Sequence, residues 1–327
     1  MSKPLQMRCA QRGVAVVTAL LLTTLAVTIV ASLFWQQQVQ VRSIENQRLQ
    51  LQKDWIMRGA LDWASMILRA SARQFNYDHL GQPWATPLAD TRLDQYAEDG
   101  KSASDAGDAI LSGSIIDAQS RYNLNNLSLN GNPVADEVAG FKRLLGFLRL
   151  PTSLATAAAQ AIADGQPTTA STTASTGPQT VAKPGSGTLP MLQVNDLLAV
   201  PGFTPDIVRK LQDYVVVLPP DASATPINAN TASAEVLAAC FDNLSLAEAN
   251  TVVEMRRTAP FRDNVQGRMG ERLNKAFSPT AKIGPASNFF LVYGKIRMGR
   301  AALNTVSLIR RPANNRAGSE IVWIREQ

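Results

Sequence analysis

Histidine occurs once and cysteine twice in 327 residues. So few His and Cys side chains exclude a His-rich metal centre and most Cys/His zinc sites. Two cysteines are also too few for the disulfide framework of a small secreted domain. Phosphate-cradling P-loops and G-x-S-x-G nucleophile elbows are both missing. The lone His79 sits in the run DHLGQPW, with no Ser or Cys placed for a triad. It reads as a loop histidine, and no enzyme is expected. Charge is sparse as well, at 18% of residues against 45% hydrophobic. That balance excludes wholesale disorder, and the length suits two packed units.

Acid is missing from residues 1–13, which hold Lys3, Arg8 and Arg12. Charge of either sign is missing from residues 14–34, a run of 21. At the helical rise this run is about 31 Å long, enough for the hydrocarbon core of a bilayer. The basic flank keeps the N-terminus in the cytoplasm and sends the rest across. The run is too long for a secretory signal peptide, and a helical pattern continues after it. Trp35 to Phe75 holds no proline and one glycine, Gly59. Ile56, Ala60, Trp63, Ile67 and Ala70 recur at helical spacing and predict an apolar stripe. One helix is expected from about Val14 to about Phe75. The stripe reads first as a face packed on its own domain, second as a contact for partner helices.

A basic leader, then Gly13, then an uncharged helix with a soluble amphipathic half resembles the type IV prepilins and pseudopilins. The resemblance implies cleavage by a prepilin peptidase between Gly13 and Val14, with N-methylation of Val14. Val14 departs from the usual Phe or Met. Most pilins carry Glu at the fifth mature position, where it neutralises the N-terminal amine of the subunit above. Here that position is Thr18. A subunit without the Glu needs no neighbour above it, which implies a tip position. The leader also carries three of the 32 basic residues, so its removal halves the net charge from +6 to +3. The same cut removes Cys9 and leaves Cys240, read as a small core residue.

Residues 78–88, DHLGQPWATPL, and 115–127, IIDAQSRYNLNNL, narrow the resemblance to the K-class minor pseudopilins of type II secretion. Ser120 stands where Gly is usual. The resemblance implies a single-pass inner-membrane protein with its bulk in the periplasm. It would cap the pseudopilus tip and help initiate its assembly for protein export across the outer membrane. Its implied partners are the I-class and J-class minor pseudopilins, with the H-class pseudopilin, the secretin or exported substrates as further contacts. A minor pilin of a type IV pilus is another reading.

The expected fold class is α+β, a pilin-like core with a large helical insertion. Residues 1–13 form the leader, 14–34 the membrane part of the helix and 35–125 the first part of the core. Residues 126–281 form the insertion and 282–327 the C-terminal strands. The β-rich stretches Asn288–Met298, Thr305–Ile309 and Glu320–Ile324 predict an antiparallel meander, with a turn at Pro312–Asn315 and Ile110–Ile116 as a further strand. Residues 165–190 read as a Ser/Thr/Pro/Gly linker. Around them, Thr204-Pro205 and Ser245-x-x-Glu248 predict helix starts in two SAM-like or helix-hairpin-helix-like units.

Those units raise the rival reading, a membrane-anchored DNA-binding module for uptake. The I-N-A-N-T-A run at 227–232 supports it. Against it, Thr204 replaces the second glycine of a P-G-I-G hairpin and Asp206 adds negative charge. No nucleic acid is therefore expected. No cofactor is required on the pseudopilin reading. Some K-class members bind calcium, and Asp90, Asp94, Glu98 and Asp99 are the candidate ligands here. Without an EF-hand pattern, a solvated loop is the favoured reading of that stretch.

Overall fold

A computed structural model describes residues 12–93, 109–166, 168–169, 182–183, 189–220, 223–277, 279–299, 301–312 and 318–327. Residues 1–11 of the leader, most of the 165–190 linker and the turn expected at 313–315 lie outside them. The chain falls into two units, Met1–Ile56 and Met57–Gln327. Helix α1, Arg12–Gln74, starts in the first and ends in the second.

In the first unit, no proline breaks the backbone ladder, and no charge falls between Val14 and Phe34. The hydroxyls of Thr18, Thr23, Thr24 and Thr28 all donate back to carbonyls three or four residues earlier, at 2.8–3.0 Å. The four threonine hydroxyls of this run are thus satisfied within their own helix, as a bilayer demands. It is the helix among the described residues long and apolar enough to cross a membrane.

The second unit is built on one antiparallel sheet in chain order. Its strands are β1 (Leu88–Arg92), β2 (Ile110–Asp117), β3 (Phe289–Met298), β4 (Ala301–Arg310) and β5 (Glu320–Glu326). The expected meander forms, and β2 pairs with β3. Strand β1 is an addition: its sequence LADTR is polar and short, and it lies at an edge where one face meets water. Gly113 and Gly294 stand opposite each other across β2 and β3. A Cβ at 294 would lie 3.0 Å from the Met57 methyl, so the glycine lets α1 approach the sheet. The other sheet face packs Leu291, Val306 and Leu308 against Val216 and Leu218.

Among its described residues the insertion forms six α-helices: α2 (Ala135–Phe147), α3 (Leu154–Gly165), α4 (Pro205–Leu211), α5 (Ala234–Ala239), α6 (Leu246–Thr258) and α7 (Val265–Leu273). Thr204 caps α4, and Ser245 with Glu248 forms the capping box of α6. Phe141, Leu144, Leu145, Leu237, Phe241 and Phe261 anchor its core. That core also takes in Tyr122 and Leu124, ahead of the expected start at 126. The insertion is not purely helical either. Val215–Val216 pairs in parallel with Tyr122–Asn123, and Ile227–Asn228 with Ile283–Gly284. Cys240 is fully buried at the end of α5, as a small core residue would be.

A buried polar knot joins the sheet to the insertion. One Asp117 carboxylate oxygen accepts from Asn228 Nδ2 at 2.9 Å, Thr231 Oγ1 at 2.6 Å and Ser287 Oγ at 2.7 Å. The other accepts from the Gln119 amide at 2.8 Å. Beside it Asp78 pairs with Arg311 at 2.6 Å, both almost fully buried. Arg311 also donates to the carbonyls of Ser287 and Leu68. Gln119 reaches Pro226 and Asn288, while Asn125 and Asn126 reach Leu218 and Thr225. The segment 115–127 is therefore a clasp that ties three distant stretches of chain.

Replacing Asp117 with Ala strands three buried donors. Asp117→Ala is expected to cost about 3 kcal/mol or more, read as a fall in thermal midpoint of the detergent-solubilised chain. Burial pushes the Asp117 carboxyl up to about 6, with the Asp78 charge adding and the hydrogen bonds from Thr231, Ser287 and Gln119 opposing. Burial likewise pushes Glu137 up to about 6, against the hydrogen bond from Tyr122. A carboxyl raised by folding favours the fold while protonated, and that support fades as pH rises through its folded value. The stability of Asp117→Asn relative to the parent should thus shift in the variant's favour from pH about 4 to about 6 and then level off. A flat difference across that window would refute the raised carboxyl.

Candidate functional site

The buried face of α1 in the second unit is Met57, Leu61, Ala64 and Leu68. Burying each large member contributes about 1.5–3 kcal/mol. This face lies one residue on from the stripe expected from sequence, a rotation of about 100°. Ala60 and Ile67 are therefore half-buried on its flank, and Trp63 remains 43% exposed. Ile56, in the first unit, is half-buried. The stripe as expected is not the helix's packing face on its own domain. Both registers are apolar at helical spacing, and the sheet selects the one whose side chains meet Gly294 and Thr305.

The displaced flank borders a groove of about 70 Å³. Ala60, Trp63 and Ile67 line one side, Leu88, Leu111 and Ile115 the other. Gly113 also lines it, where a Cβ would collide with the Tyr293 carbonyl.

Gly13 and Val14 fall in the first turn of α1. The Thr18 hydroxyl donates at 3.0 Å to both Val14 and Ala15 carbonyls. It brings no charge to a depth where a carboxylate needs a partner.

The residues weighed for and against the DNA reading are engaged within the chain. Thr204 Oγ1 accepts from the Ile207 amide at 3.4 Å, so the α4 N-terminus is capped from within. Asp206 pairs with Arg209. Gly202 adopts φ 95°, and a Cβ there would meet Leu154 at 2.8 Å. Asn228, Asn230 and Thr231 are buried, and Asn230 exchanges bonds with Phe261.

Of the candidate calcium ligands, Asp90 is ion-paired with Arg297. Asp94, Glu98 and Asp99 lie outside the described residues. Among the described residues, no three His, Cys, Asp or Glu side chains gather for a metal. His79 Nδ1 accepts from the Gly81 amide at 3.2 Å, and the ring stacks on Tyr77. Burial lowers its pKa, with the Asp78 charge opposing. It shapes the 78–84 turn, where Gln82 accepts from Trp84 Nε1 and Trp84 packs edge-on against Phe290.

Sequence reasoning did not foresee Arg311. An arginine followed by proline at a strand end carries no local signal of a partner 233 residues away.

Residues 120–220 and 227–265 match two family models, both described as type II secretion system protein K. The type II secretion system protein K of Pseudomonas aeruginosa is 28% identical over 320 residues, covering 93% of this chain and 90% of that protein. Those of Pectobacterium carotovorum and Aeromonas hydrophila are each 27% identical, covering 76% and 75% of this chain and 76% of each relative. The fold resembles a chain from the crystal structure of the GspK-GspI-GspJ complex of enterotoxigenic Escherichia coli. The TM-score is 0.57 at 20% identity, with 88% of this chain and 99% of that one covered. The motifs at 78–88 and 115–127, the long N-terminal helix, the antiparallel sheet and these matches all converge on the protein K class of type II secretion minor pseudopilins, which this chain resembles.

Proposed function

We propose that this pseudopilin caps the tip of the pseudopilus together with I-class and J-class minor pseudopilins, and helps initiate its assembly. The groove along Ala60, Trp63 and Ile67 carries this reading, because it leaves apolar surface uncovered among the described residues. The solved relative belongs to a complex with GspI and GspJ, proteins of the partner classes named here. Thr18 supports the tip position, since it offers no carboxylate for a subunit stacked above. On this reading a prepilin peptidase cuts between Gly13 and Val14. The helix then anchors the protein in the inner membrane, with the bulk in the periplasm.

Trp63 is exposed enough that Trp63→Glu should alter fold stability by only about 1 kcal/mol. It should nonetheless abolish co-purification with the I-class and J-class partners. Undiminished co-purification would remove the groove from the assembly. Separately, Gly13→Ala expressed with the peptidase should keep its leader, visible as a larger intact mass. Normal trimming of that variant would sink the cleavage assignment.

A further inference from the structure

Opposite α1, the second sheet face is covered only in part. Leu291 and Leu308 are buried, whereas Tyr293, Trp323 and Arg325 remain half-buried. Tyr293, Val306 and Arg325 stand in one cross-strand row. Above them opens a cleft of about 350 Å³, whose far side includes Arg121, Leu192 and Gln212.

Two guanidinium groups line this cleft. The Arg325 guanidinium carbon sits over the Trp323 ring, 4.1 Å from its centre, and Arg325 donates to the Leu192 carbonyl at 3.0 Å. Stacked in this way, its remaining donors form a fixed fork. Arg121 is half-buried, and its side chain has no hydrogen-bond or ion-pair partner among the described residues. Its neighbours in the 115–127 clasp are almost all engaged, so Arg121 is a polar member of that segment without a structural task. A planar guanidinium held in a cleft matches a carboxylate best. Beside the cleft, β5 is the outermost strand among the described residues, so alternate backbone N–H and C=O groups face outward without a strand partner there. The exposed side chains of Ile321 and Ile324 add apolar surface along the same strand.

We propose that the β5 edge and this cleft together receive an extended acidic segment of another protein chain. The segment adds as a sixth strand, and alternate side chains fall on the cleft face, where Arg121 and Arg325 hold a carboxylate. Glu326 also lines the cleft and opposes the incoming charge. This docking is independent of the helix groove.

The test uses the full chain in detergent and two labelled peptides of about eight residues, one alternating valine and aspartate, the other valine and lysine. Fluorescence anisotropy should show the aspartate peptide binding at least about tenfold more tightly. Arg121→Gln and Arg121→Ala, each checked for an unchanged circular dichroism spectrum, should each weaken it by about tenfold. Glu326→Gln should strengthen it about twofold, and added salt should weaken it. Equal binding of the two peptides, no binding of either, or indifference to both Arg121 variants would overturn the proposal. Capture of a short duplex DNA in place of the peptide would do the same.

Discussion

Everything in the second unit depends on keeping one carboxylate dry and fully bonded. Asp117 ends β2, so it sits where the sheet hands the chain to the helical insertion. Three side-chain donors converge on it from Asn228, Thr231 and Ser287, and each comes from chain more than a hundred residues away. A buried carboxylate with fewer partners would carry a desolvation cost that the fold could not absorb. The junction must therefore form all at once or not at all. That coupling fixes where the insertion leaves the sheet and where it returns. Asp78 and Arg311 extend the same logic, since Arg311 grips the carbonyl of Leu68 in α1 as well. Helix, sheet and insertion thus share one set of polar bonds.

The two most recognisable sequence motifs spend most of their polar side chains inside the protein. DHLGQPW supplies Asp78, Gln82 and Trp84, and all three point into the protein. DAQSRYNLNNL supplies Asp117, Gln119, Asn123 and Asn126, which are likewise buried. The asparagines of I-N-A-N-T-A, which raised the DNA reading, complete the other side of the same knot. Amide side chains suit this task because each offers both donors and an acceptor. A polar motif with no local periodicity reads as a binding site from sequence alone. Here its partners are other stretches of the same chain.

What the sequence disclosed follows from how local each signal is. The caps at Thr204 and Ser245 were legible because a cap is settled within four residues. The C-terminal strands were legible because β-rich runs alternate with turn residues. The α1 stripe was misread by one position because Ile56, Ala60, Trp63 and Ile67 are as apolar as Met57, Leu61, Ala64 and Leu68. Only the shape of the sheet, with Gly294 under Met57, decides between them. Strand β1 was missed because an edge strand needs little apolar sequence. The inward start of the insertion core, at Tyr122 rather than 126, was hidden because the Tyr122 hydroxyl is satisfied by Glu137, fifteen residues on.

The misread stripe is also where function is left over. A helix that buries one apolar face against its own sheet has used what the fold requires. A second apolar face, displaced by about 100°, adds nothing to that packing. Exposed Trp63 costs solubility without helping the fold, and such a residue persists where another surface covers it in the assembled state. The same reasoning separates Arg121 from its neighbours, since Asn123, Asn125 and Asn126 each bond within the chain and the Arg121 side chain does not among the described residues. Where the polar side chains of the 115–127 clasp are so largely matched, the unmatched one at its surface is the most informative guide to what the molecule meets outside itself.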